Sequence, residues 1–80
     1  MKLSVIIPVY NEKHTILEIL KKVESVKDIR KQIIIVDDGS TDGSYDLINS
    51  FNFISDYKII KHEKNTGKGS CIKSAQKYVL

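Results

Sequence analysis

Two spacings of apolar residues alternate along this chain, compact runs and steps of three or four, and the alternation repeats three times. Leu3 to Ile7 is a short apolar run, read as a first strand that Pro8 closes because proline has no N–H for a ladder. Pro8 to Glu12 is read as a loop. From about Lys13 the spacing becomes helical, with Ile16, Leu17, Ile19, Leu20, Val23 and Val26 on one side and Lys21, Lys22 and Glu24 on the other. Asn11 is the expected N-cap, and Glu12 suits the positive end of the helix dipole. Ile33 to Val36 is a second strand. A shorter helix is expected from Asp42 or Gly43, with Asp42 as its cap and Tyr45, Leu47, Ile48 and Phe51 on its apolar side. A third strand follows at Tyr57 to Lys61. After the polar turn from His62 to Gly67, a last helix carries Cys71, Ile72, Ala75 and Val79 on one side.

The order β-α-β-α-β-α defines an α/β chain. Right-handed crossovers advancing in one direction give strand order 3-2-1, put the first two helices on one face and require the third on the other. The pattern holds no fourth strand to lie beside the first, and it is still helical at Leu80. The expected architecture is therefore half of a doubly wound, Rossmann-like parallel sheet with helices on both faces. The first strand is left as an open apolar edge, which a second copy of the chain would cover.

Ile33-Ile34-Ile35-Val36-Asp37-Asp38-Gly39-Ser40-Thr41-Asp42-Gly43 is the stretch around which the rest is arranged. Four β-branched residues in a row read as a strand buried on both faces. Two carboxylates where it stops are costly to desolvate and raise each other's pKa, so they belong in the crevice at the carboxyl ends of the strands. Asp37 is read as holding the turn through backbone N–H groups, and Asp38 as facing a ligand.

Eighty residues with 41% hydrophobic and 29% charged content make one small soluble domain with a thin core. The net charge of +3 is spread along the chain, with a local group at Lys27, Arg30 and Lys31, and is read as a solvated surface with no nucleic-acid partner. A single cysteine, Cys71, excludes an internal disulfide and a cysteine-based zinc cluster and fits a reducing compartment. The run Val5-Ile6-Ile7 is too short for a signal segment or a membrane span, which points to the cytoplasm. His14 and His62 are isolated in sequence and read as surface residues without metal spacing.

All three βα loops open on one rim of a parallel sheet. They bring together Tyr10 and Glu12, then Asp37 and Asp38, then Asn65, Gly67, Lys68 and Gly69. That set offers an aromatic face for a base, carboxylates for base or ribose donors, and a glycine-flanked lysine at a helix start for phosphate. Sharper motifs fail. A Walker loop needs glycine where His62 stands, and the dinucleotide fingerprint needs glycine where Ile72 stands. An EF-hand loop starting at Asp38 would need glutamate at Asn49. A response-regulator receiver would carry a phosphoacceptor aspartate at the end of a later strand, where this chain has Lys61-His62.

Ser4 to Glu12, Ile34 to Asp42 and Asn65 to Gly69, in this order and spacing, resemble the opening of a family-two glycosyltransferase, and the likeness covers nearly the whole chain. It is nearest to the dolichyl-phosphate mannosyltransferase and polyprenyl-phosphate sugar transferase branch. The resemblance implies a GT-A fold, a UDP- or GDP-sugar donor and inverting transfer. It implies that Pro8, Tyr10 and Glu12 line the nucleotide, that Asp38 meets base or ribose, and that Asn65 to Gly69 completes the pocket with Lys68 near its anionic end. The family's Asp-x-Asp metal motif, which would hold Mg or Mn in the full-length enzyme, and its catalytic base would lie beyond Leu80. This chain is thus expected to have no catalytic or metal-binding residue of its own and to be inactive alone. Any membrane contact would come from those further parts or from a lipid acceptor. Two other readings compete: a non-catalytic, self-associating nucleotide-binding module, and a nucleotidyltransferase, which would want a glycine-rich basic signature that Pro8 to Glu12 does not supply.

Overall fold

A computed structural model describes residues 2–79. Six elements alternate: β1 (Lys2–Val9), α1 (Ile16–Glu24), β2 (Arg30–Asp38), α2 (Ser44–Ser50), β3 (Asp56–His62) and α3 (Lys68–Gln76). The strands form one three-stranded parallel sheet in the order β1-β2-β3, with β2 in the middle. Its register sets Ile6 beside Ile34, Val9 beside Asp37, and Asp38 beside His62.

β2 is the core. Ile33, Ile34, Ile35 and Val36 are fully buried, each removal from water worth roughly 1.5–3 kcal/mol. Because strand side chains alternate faces, Ile33 and Ile35 pack with Val9, Ile16, Leu20 and Ile48 under α1 and α2. Ile34 and Val36 pack on the opposite face with Cys71 and Ala75 of α3. Helices therefore cover both faces, as the crossover argument requires.

Four local expectations need correction. Pro8 does not close β1; it lies within the strand beside Val36, on an edge strand, where proline is tolerated. The first helix begins at Ile16 rather than near Lys13, and Val26 lies beyond its end and is exposed. Asn11 is not its cap: Asn11 adopts φ 50°, and a turn in which the Thr15 and Ile16 N–H groups donate to the Glu12 carbonyl leads into the helix. The last helix stops at Gln76, and Val79 is exposed past a turn rather than packed on its apolar side. Leu80 lies outside the described residues. No helix among those described is long and apolar enough to cross a membrane.

Candidate functional site

The loop after β2 stitches the carboxyl rim together through short polar side chains. Three successive N–H groups of the β1–α1 loop donate into it: Asn11 to Ser40 Oγ (2.9 Å), Glu12 to Ser44 Oγ (2.9 Å) and Lys13 to Asp42 Oδ2 (3.1 Å). The Thr41 N–H returns a bond to Asn11 Oδ1 at 2.8 Å. Asn11 thus takes up its left-handed backbone to bridge two loops. Asp42 is not the cap of α2, since Gly43 holds that position, but it accepts from the Ser44 N–H at 3.0 Å and so shapes the turn into the helix. Toward the third loop, Gly39 packs so closely on Lys64 and Asn65 that a Cβ there would stand 2.6 Å from the Lys64 carbonyl carbon.

The two adjacent carboxylates do not act as a like-charged pair. Successive strand residues face opposite sides, so Asp37 shares the α1/α2 side and Asp38 the α3 side. Asp37 is buried; one oxygen accepts the Ser40 N–H at 3.3 Å, and Oδ1 has no hydrogen-bond partner among the described residues. Asp38 accepts from the Thr66 N–H (3.0 Å), the Thr66 hydroxyl (2.8 Å) and the Gly67 N–H (2.9 Å), and His62 Nδ1 lies 2.8 Å from its Oδ1. Burial opposes its charge, but the bonds from His62, Thr66 and Gly67 outweigh that and hold its carboxyl well below the usual carboxylate range. Adjacency to Asp37 alone would raise the Asp38 pKa; the hydrogen bonds reverse that direction.

Between the three loops lies an open cleft of about 390 Å³, lined by Pro8, Tyr10, Glu12, Asp38, Asn65, Gly67 and Lys68, with Val9 and Cys71 at its floor. Its size is within the range of small-ligand sites. Tyr10 presents a half-exposed ring, and Lys68 is exposed at the first turn of α3. Asp37 and Gly69, both named from sequence, do not line it. Glu12 also accepts from the Thr15 hydroxyl at 2.8 Å, so it serves the entry into α1 as well.

His62 is not the lone surface residue that its isolation in the sequence suggests. It is half-buried, with Nδ1 toward Asp38 and Nε2 2.8 Å from Ser74 Oγ on α3. A signal existed: His62 ends the third apolar run as Asp38 ends the second, and parallel pairing sets those ends side by side. Cys71 could be found only from the fold. Asp38, His62 and Cys71 offer one ligand atom each within 4.8 Å of one another. They do not suit Mg or Mn, which take oxygen ligands in greater number. A softer ion is poorly served too, because Asp38 Oδ1, the oxygen beside His62, already accepts from the Thr66 N–H and hydroxyl. Burial, together with the charge of Asp38 and its hydrogen bond to the thiol, pushes the Cys71 thiol up, away from the thiolate a metal would need.

The model of the family described as "Glycosyl transferase family 2" matches residues 4–79. Among curated proteins, the chain is 34% identical over 70 residues to a poly-beta-1,6-N-acetyl-D-glucosamine synthase of Staphylococcus epidermidis, covering 88% of this chain and 17% of that protein. It is 30% identical over 73 residues to the dolichol-phosphate mannosyltransferase of Pyrococcus furiosus, covering 90% and 21%. It is also 35% identical over 77 residues to an uncharacterised protein of Methanocaldococcus jannaschii, covering 94% and 32%. The chain thus spans a third or less of the length of these relatives. No solved structure matches. With most of β1 and the five elements after it inside the matched span, the chain belongs to glycosyl transferase family 2.

Proposed function

We propose that the rim cleft binds the nucleoside-diphosphate end of a UDP- or GDP-sugar, and that this chain is the donor-binding part of an inverting glycosyltransferase. The observation that carries the reading is the convergence of Tyr10, Asp38 and Lys68 from three separate strand-to-helix junctions on one cleft of ligand size. In this reading the Tyr10 ring takes the base and the Asp38 edge takes base or ribose hydroxyls. Lys68, with the free N–H groups at the start of α3, takes the phosphates. Asn65 and Gly67 shape the turn between them. Asp37 acts behind the cleft by holding the turn.

Sugar transfer also needs a cation at the diphosphate and a base at the acceptor hydroxyl. The described residues do not present the oxygen ligands for the first, so we assign no transfer step to them, and the isolated chain is inactive. A lipid-linked or polysaccharide acceptor accords with the family, and a cytoplasmic setting with the single cysteine.

Calorimetric titration with UDP and GDP, with and without Mn²⁺, tests it. The expected result is binding of one nucleotide that Mn²⁺ leaves unchanged and Tyr10→Ala weakens about tenfold, the scale of one lost ring stack. Absence of binding at millimolar nucleotide would overturn the reading, and sugar release from a donor by the purified chain would overturn the inactivity.

The outer edge of β1 has no strand partner among the described residues, which favours a second reading, self-association through that edge. Sedimentation that shows a monomer at every concentration would remove it.

A further inference from the structure

The bonds of His62 reach three separate parts of the molecule. Nδ1 sits 2.8 Å from Asp38 Oδ1 at the end of β2 and 3.1 Å from Thr66 Oγ1 in the third loop, and Nε2 sits 2.8 Å from Ser74 Oγ in the second turn of α3. Proton bookkeeping orders these contacts. Asp38 is ionised and can only accept, and the single proton of the Thr66 hydroxyl goes to Asp38 Oδ1 at 2.8 Å. A bare Nδ1 would turn a lone pair toward the carboxylate. Nδ1 therefore carries a proton and donates to Asp38, and in the neutral ring Nε2 accepts from the Ser74 hydroxyl. The ring ties the carboxylate to α3. The same carboxylate receives the N–H groups of Thr66 and Gly67, the turn that leads directly to Lys68.

We propose that His62 is a positioning residue of the cleft. Through Asp38 it fixes the Thr66–Gly67 turn, and so sets where Lys68 and the first N–H groups of α3 meet a diphosphate-bearing ligand. The ligand class rests on the reading given under Proposed function; the coupling of His62 to the turn does not.

Three substitutions separate a donor at the right place from mere filling of space. His62→Asn puts an amide N–H near the position of Nδ1 and keeps the bond to Asp38 while losing Ser74. His62→Gln is closer in volume but reaches toward Ser74 and loses Asp38. His62→Ala loses both. The first readout needs no ligand: amide hydrogen exchange at Thr66 and Gly67, followed by NMR in the full 80-residue chain. Exchange at both is expected to speed up about tenfold or more in His62→Ala and His62→Gln, and to return close to the parent value in His62→Asn, the scale of one bond to a charged acceptor. The second readout is affinity for UDP and GDP, expected to follow the same order. Unchanged exchange at Thr66 and Gly67 in His62→Ala would overturn the proposal, and so would an affinity order that follows side-chain volume, with Gln above Asn. If no variant and not the parent binds nucleotide, the reading of the cleft falls, and the exchange order alone decides the role of His62. Thermal unfolding of each variant confirms that the comparison is between folded chains.

Discussion

Replacing Gly39 by alanine tests whether the rim is held by contact between loops or only by the conformations of its separate turns. Gly39 has φ +76°, and an added Cβ would lie 2.6 Å from the Lys64 carbonyl carbon and 2.7 Å from the Asn65 nitrogen. Both are backbone atoms, which cannot swing aside as a side chain would. Ordinary contact begins near 3.4 Å, so the two loops must part by several tenths of an ångström. The left-handed backbone costs about 1–2 kcal/mol for a residue with a Cβ, and the overpacking adds about 1–3 kcal/mol. A total of roughly 2–5 kcal/mol is a large share of the roughly 4–12 kcal/mol expected for a chain of this size. Gly43 supplies the control, for it has φ +95° but nothing within 4 Å of the added Cβ. Gly43→Ala therefore carries the backbone cost alone. Urea denaturation of the two variants against the parent measures the difference, expected at about 1–3 kcal/mol, and each kcal/mol lowers the thermal midpoint by about 4–8 °C at this size. Equal losses for the two variants would refute the reasoning, since the loop contact would then contribute nothing. Because Lys64 and Asn65 immediately precede Thr66, Gly39→Ala should also speed amide exchange at Thr66 and Gly67, where Gly43→Ala should not.

Two further outcomes follow from the polar groups in the wall of the cleft. Asp38→Asn should cost about 2–3 kcal/mol at pH 7, because donors that met a carboxylate then meet a neutral amide. The folded Asp38 binds its proton less readily than in the unfolded chain, so its contribution is complete above about pH 4 and is lost as pH falls further. The parent and the variant should therefore converge in urea denaturation below that pH, and a difference constant with pH would contradict the role given to the charge. Cys71 is fully buried, and burial and the nearby Asp38 hold its thiol protonated at neutral pH. Iodoacetamide should thus modify it at least tenfold more slowly in the native chain than in urea, and equal rates would show that the α3 face of the sheet is open.

Much of this molecule follows from local pattern. The buried run Ile33–Val36 and the helical spacing of Ile16 and Leu20 are properties of periodicity, and crossover handedness then puts α1 and α2 on one face, leaving the other face of the apolar strands for α3 to cover. The same logic collects Pro8, Tyr10, Glu12, Asp38, Asn65, Gly67 and Lys68 at one rim, because parallel strands open all their following loops at the same end. Local pattern could not say how those loops touch. Asn11 reads as a helix cap in isolation, yet its bonds go to Ser40 and Thr41, 29 and 30 residues away. His62 reads as a solvated histidine, yet strand register brings it to Asp38. The ionisation of Asp38 could not be read from its neighbour Asp37 either. Adjacent strand residues point apart, and the groups that hold its charge come from His62, Thr66 and Gly67, 24 to 29 positions further on. Periodicity reports which face a residue occupies; only tertiary packing decides which partners a polar group finds there, because hydrogen bonds act over about 3 Å and depend on loops whose paths no local spacing encodes.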